Sequence, residues 1–192
     1  MLDFVKEVLD KSGGDILEVQ DDNGWMPLHY AARIGDCEVT KLFLETNSSL
    51  AYIKDKDGMS AFHIAAGNGR NPIMNVLISE CPDVCELLDN RDRTALHVAV
   101  ETGYITVVNN LLHLVVFNDL LNEKDVEGNT ALHLAAIHGR YKILRRLSND
   151  RRVDKMCTNK AGMTVVDIIR SSPNLGKDKK VLCSFYYALN LI

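Results

Sequence analysis

Four imidazoles stand in matching surroundings, at His29, His63, His97 and His133, with separations of 34, 34 and 36 residues. Histidine ligates metals and moves protons near neutral pH, so a regular series of it is the first place to look for chemistry. Copies a whole repeat apart are too distant to share one ion. A buried imidazole bridging backbone groups of successive turns accounts for the regularity without chemistry. Cys81 and Cys85 form a C-x3-C pair with no second pair or matched histidines, which suits two part-buried thiols better than zinc. His133 and His138 are five apart and do not share a helix face. There is no glycine-rich phosphate loop, G-x-S-x-G elbow or H-E-x-x-H. The reading predicts no catalytic residue, no metal and no other cofactor; a metal protein or enzyme using the histidines is the competing reading.

The histidines sit in a recurring unit. Thr130-Ala131-Leu132-His133-Leu134-Ala135-Ala136 is echoed at Met26–Ala32, Ser60–Ala66 and Thr94–Val100, and more faintly at Thr164–Ile169, where Asp167 takes the histidine slot. Ser or Thr before the apolar run suits a helix N-cap, and Pro27 suits the first helical position. Leu28, Ala31 and Ala32, like Leu132, Ala135 and Ala136, fall at i, i+3 and i+4 on one face, with alanines small enough for close helix approach. Gly35, Gly69, Gly103 and Gly139 follow and are expected to end each helix in the left-handed conformation. Before each unit comes an Asp-x-x-Gly or Asn-x-x-Gly turn through Gly24, Gly58, Gly128 and Gly162, with Asp92 replacing glycine in the third. Aspartate tolerates that conformation better than most residues.

A fixed period near 34 residues predicts a stack in which each unit touches its neighbours. The reading is an all-α solenoid of helix-turn-helix units joined by β-turn or hairpin loops. Residues 1–20 form a partial repeat or cap with Phe4, Val5, Val8 and Leu9 on one face. Repeats follow at about 21–54, 55–88, 89–124, 125–158 and an incomplete 159–170. Two extra residues within 113–122 predict a projecting loop in the third. Residues 171–192 are expected to be a linker and a C-terminal capping helix carrying Val181, Leu182, Phe185, Tyr186 and Leu189.

A net charge of −4, from 22 basic and 26 acidic residues, gives no general reason to bind nucleic acid or an anionic membrane. Five cysteines without a secretory framework, and no signal-peptide pattern at the start, point to a reducing, cytoplasmic setting. No run approaches the roughly 18 apolar residues of a membrane span.

What varies while the scaffold repeats is the set of residues beside the turn glycines and just before the helix-ending glycines, expected to point out of the stack. The candidate protein-binding residues are Trp25, Arg33, Ile34, Met59, Asn68, Arg91, Arg93, Glu101, Asn129, Ile137, His138 and Met163. Aromatic and arginine anchors are the usual hot spots of interfaces. The repeated histidines and helix-ending glycines are assigned to structure.

From about residue 20 to 170 the chain resembles the ankyrin-repeat family, four near-complete signatures agreeing in phase. Ala65–Arg70, Cys81–Asp89 and Thr94–Glu101 also resemble plant proteins of the accelerated-cell-death type. That resemblance implies a non-catalytic scaffold in defence or stress signalling, with association at the cytoplasmic side of the plasma membrane. The Pro-Gly-Gly mark and membrane helices of those proteins are missing from this sequence. A truncated or incomplete product is therefore expected, and a remnant that self-associates through unfinished ends is a further reading.

Overall fold

The computed structural model describes residues 2–171, and the expected capping helix over 178–192 lies outside them. Ten α-helices and short 3-10 turns make up the regular structure, with no β-strand among the described residues. The chain divides between Ala95 and Leu96 into two compact units.

In the first unit, α1 (Leu2–Ser12) packs on α3 (Cys37–Thr46), the second helix of the first complete pair, whose first is α2 (Pro27–Ile34). The next pair is α4 (Ala61–Gly67) and α5 (Asn71–Glu80); α4 lies on α2 and α5 on α3. Ala32, Ala61, Ala65 and Ala66 are fully buried, so first helices meet almost backbone to backbone, while Leu28, Phe62, Met74 and Leu77 fill the space beneath. Each such large side chain contributes about 1.5–3 kcal/mol of burial. Asp36 caps α3 by accepting the Val39 N–H at 3.0 Å. The apolar face expected on α1 is only partly used: Leu9 is buried, but Phe4 stays 69% exposed.

The second unit opens with α6 (Ala95–Thr102), which begins at the junction, and α7 (Ile105–His113). It continues with α8 (Ala131–Ile137) and α9 (Tyr141–Ser148), the latter packed on α7, and ends on α10 (Val165–Ser171), which packs on α8. The longer connection after α7 is anchored as well as projecting. Phe117 and Leu121 are buried in it, while Val115 is 80% exposed.

Candidate functional site

The turn before each first helix is built by one side chain. Asp55 Oδ1 accepts the N–H groups of Asp57 and Met59, and Asp21, Asp89, Asp125 and Asn159 do the same for residues two and four ahead. Short side-chain acceptors of this kind hold a turn without help from a ladder. Successive turns are then stitched together by backbone: Lys56 N–H donates to Asn23 O, Asn90 to Asp57 and Lys160 to Glu127, each at 3.0–3.1 Å. A side chain on Gly24 would collide with the Lys56 backbone nitrogen at 2.8 Å, so closeness of the next turn, as well as a φ of +80°, demands glycine there. Asp92 adopts φ 54°, as its place in the third turn requires.

His29, His63 and His97 each reach from a first helix to the turn of the following repeat. His29 Nδ1 accepts the Met26 N–H at 3.2 Å, and its Nε2 reaches the Met59 carbonyl at 3.2 Å. His63 Nδ1 accepts the Ser60 N–H at 3.3 Å while Nε2 reaches the Arg93 carbonyl at 3.0 Å. An acceptor Nδ1 leaves the proton on Nε2, so each ring is a neutral donor to the following turn. Burial of His63 pushes its pKa down to about 4, and burial likewise lowers His29 and His133. His97 Nε2 reaches Asn129 O at 3.3 Å. His133 differs: Nδ1 accepts the Thr130 N–H at 3.2 Å, but buried Nε2 forms no well-shaped bond to the Met163 carbonyl it faces. Asp167 Oδ2 performs the capping half of this task, accepting from Thr164 N–H at 3.0 Å and Oγ1 at 2.6 Å.

Cys81 and Cys85 are buried thiols whose pKa values burial pushes up. Among the described residues no group of three or more His, Cys, Asp or Glu is placed to hold a metal.

The candidate protein-binding residues divide into two groups. Arg33, Ile34, Arg91, Ile137, His138 and Met163 are exposed, Ile34 at 69% and Ile137 at 47%. Glu101 is half-buried, its carboxylate 3.9 Å from His138. Others are taken by the scaffold, contrary to the expectation that they point outward. Asn129 is buried, its amide donating to Asp125 and Glu127 and its Oδ1 accepting from Asn159 at 3.0 Å. Arg93 is drawn onto Asp89 in a 2.7 Å ion pair, and Asn68 Nδ2 turns back to the Ile64 carbonyl at 2.8 Å. Met59 is half-buried and lends its carbonyl to His29. Lysines at the tips are tethered too, Lys56 Nζ to Asp22 O and Lys160 Nζ to Val126 O.

Trp25 belongs to both groups. Its half-buried indole stands edge-on to Tyr30, with ring centroids 5.1 Å apart, and the Arg33 guanidinium lies 5.6 Å from it. Tyr30 Oη donates to Asp21 at 2.6 Å, and this bond holds the Asp21 carboxyl below its ordinary pKa. A shallow cavity of about 290 Å³ beside the cluster is lined by Ile16, Val19, Gln20, Asp21, Trp25, Pro27 and Tyr30.

Arg70 and Arg140 escaped the sequence reading. Arg140 donates from Nε at 3.1 Å and Nη2 at 2.6 Å to the Glu101 carbonyl, and Arg70 Nε to the Arg33 carbonyl at 3.0 Å. Each closes the carbonyl end of the preceding first helix. Their guanidinium stems cross where a side chain on Gly103 or Gly35 would lie. The signal was present as an arginine directly after Gly69 and Gly139.

The profile named Ankyrin repeats (3 copies) matches residues 1–85, 47–119 and 81–159. A stretch of 56 residues is 43% identical to part of the ankyrin repeat-containing protein BDA1 of Arabidopsis thaliana. The match takes in 29% of this chain and spans 13% of that relative's length. With the profile covering most of the sequence, the chain belongs to the ankyrin-repeat family.

Proposed function

We propose that this protein is a non-catalytic scaffold that binds another protein through the exposed residues at the ends of its first helices and beside its turns. The carrying observation is the exposure of Ile34 and Ile137, apolar side chains just before helix-ending glycines, among neighbours committed to packing. Apolar side chains held out on rigid elements suit a partner's pocket, and Trp25 with Arg33 and Tyr30 forms a preorganised aromatic and cationic group beside Ile34 in the first unit. Neutral buried imidazoles fixed on backbone groups suit a structural role better than catalysis.

The resemblance of Ala65–Arg70, Cys81–Asp89 and Thr94–Glu101 to accelerated-cell-death proteins supports a cytoplasmic role in plant defence or stress signalling, and the partial match is likewise to a plant ankyrin-repeat protein. No described helix is long and apolar enough to cross a membrane, and membrane association through partners is part of this reading. The test is quantitative affinity purification and mass spectrometry from native tissue, comparing the natural chain with Arg33→Ala/Ile34→Ser and with Ile137→Ser. The expected result is selective loss of one or more partners at unchanged melting temperature. Equal capture by all three proteins would refute the assignment.

A further inference from the structure

Charge is distributed very unevenly along this chain. Residues 1–40 hold nine acidic and three basic side chains, whereas residues 138–170 hold nine basic and three acidic. In the first unit Asp15 and Asp22 are exposed and make no ion pair among the described residues, and both flank the chain that lines the 290 Å³ apolar hollow beside Trp25 and Tyr30. Val19, 63% exposed, and Ile16, 41% exposed, sit in the wall of that hollow. In the second unit α9 buries Ile143, Leu144 and Leu147, leaving Tyr141, Lys142 and Arg145 outward. Among the described residues neither Lys142 nor Arg145 has an ion-pair partner, in contrast to Arg146, which is held by Asn109 and Asp150.

We propose that the acidic, apolar edge of the first unit receives the basic face of α9 from a second copy of this chain. Opposite potentials on two different patches attract between copies while like patches repel, which selects the acidic-to-basic contact. An interface joining two different patches is heterologous, each copy offering one acidic and one basic patch to its neighbours. The patches are small, and Tyr141 entering the hollow supplies the apolar part while the charges supply direction. Interfaces of this size are reversible and salt-sensitive. This assembly goes beyond the scaffold reading and stands without any foreign partner.

Sedimentation velocity over a range of protein concentrations tests it. The natural chain should show a weight-average mass that at least doubles with concentration at about 0.02 M salt and returns to the monomer at about 0.5 M, where the screening length has shrunk to roughly 4 Å. Lys142→Glu/Arg145→Glu and Asp15→Lys/Asp22→Lys should each remain monomeric. Their equimolar mixture should associate again, because the natural acidic edge of one meets the natural basic face of the other, and the two altered patches meet with their signs exchanged. Circular dichroism confirms that each variant is folded before it is compared. A monomer at every concentration, association indifferent to salt, or no recovery on mixing would overturn the proposal. So would binding of the monomer to phosphatidylserine vesicles, abolished by Lys142→Glu/Arg145→Glu, in the absence of self-association, since the basic face would then serve an anionic surface.

Discussion

Trp25 Nε1 donates to Asp55 Oδ2 at 2.9 Å, joining the first turn to the second across thirty residues. The same carboxylate holds its own turn through Oδ1, so one buried side chain serves two repeats. Substituting Trp25 by Ala is therefore not neutral to folding, as a freely projecting hot spot would be. Trp25→Phe, which removes the N–H and keeps most of the ring, should cost about 1–2 kcal/mol in urea unfolding, and Asp55→Ala about 2–4 kcal/mol. Equal, negligible losses would show that the bond contributes nothing.

Acid should weaken the fold through the imidazoles. The folded-state pKa of His63 lies near 4, below its unfolded value of about 6.5, so below 6.5 the unfolded chain takes up a proton that the native ring does not. Stability is fully present above about pH 6.5 and falls progressively to about pH 4, His63 accounting for roughly 3 kcal/mol of the fall. Urea unfolding at steps of pH measures the slope. In His63→Gln the slope over this window should be shallower, whatever the absolute loss from the altered hydrogen bonds.

Two glycines of similar φ should differ in what they tolerate. Gly24 at +80° faces the Lys56 backbone nitrogen at 2.8 Å, whereas nothing lies within 4 Å of a side chain placed on Gly139 at +63°. Gly139→Ala should lose only the cost of the left-handed conformation, about 1–2 kcal/mol, and Gly24→Ala clearly more because the neighbouring turn must move. Comparing their unfolding midpoints decides it.

Arg140 should not be replaceable by lysine. Its two bonds to the Glu101 carbonyl come from a planar fork, and an ammonium supplies a point charge without that geometry. Both Arg140→Lys and Arg140→Ala are expected to destabilise by about 1–2 kcal/mol, with little rescue by lysine. A fully stable Arg140→Lys would show that charge alone suffices at this helix end.

Much of this architecture is written locally. The 34-residue period, alanine at i+3 and alanine or Val100 at i+4 from Leu28, Phe62, Leu96 and Leu132, and a glycine or Asp92 at each turn tip specify short helix pairs, because each follows from backbone conformation or helical spacing within one repeat. Tertiary packing decided which variable tip residues remain available. Asn129, Arg93 and Asn68 look like free polar tips in sequence, yet all find partners within reach once turns and helices are in place, and a polar group near burial gains by being satisfied. Ile34 and Ile137 stay outside because the helix directs them away from the packed face, and Trp25 is divided between fold and surface by a carboxylate thirty residues on. The repeat states its helices and turns; which side chains remain for a partner depends on what the adjacent repeat brings beside them.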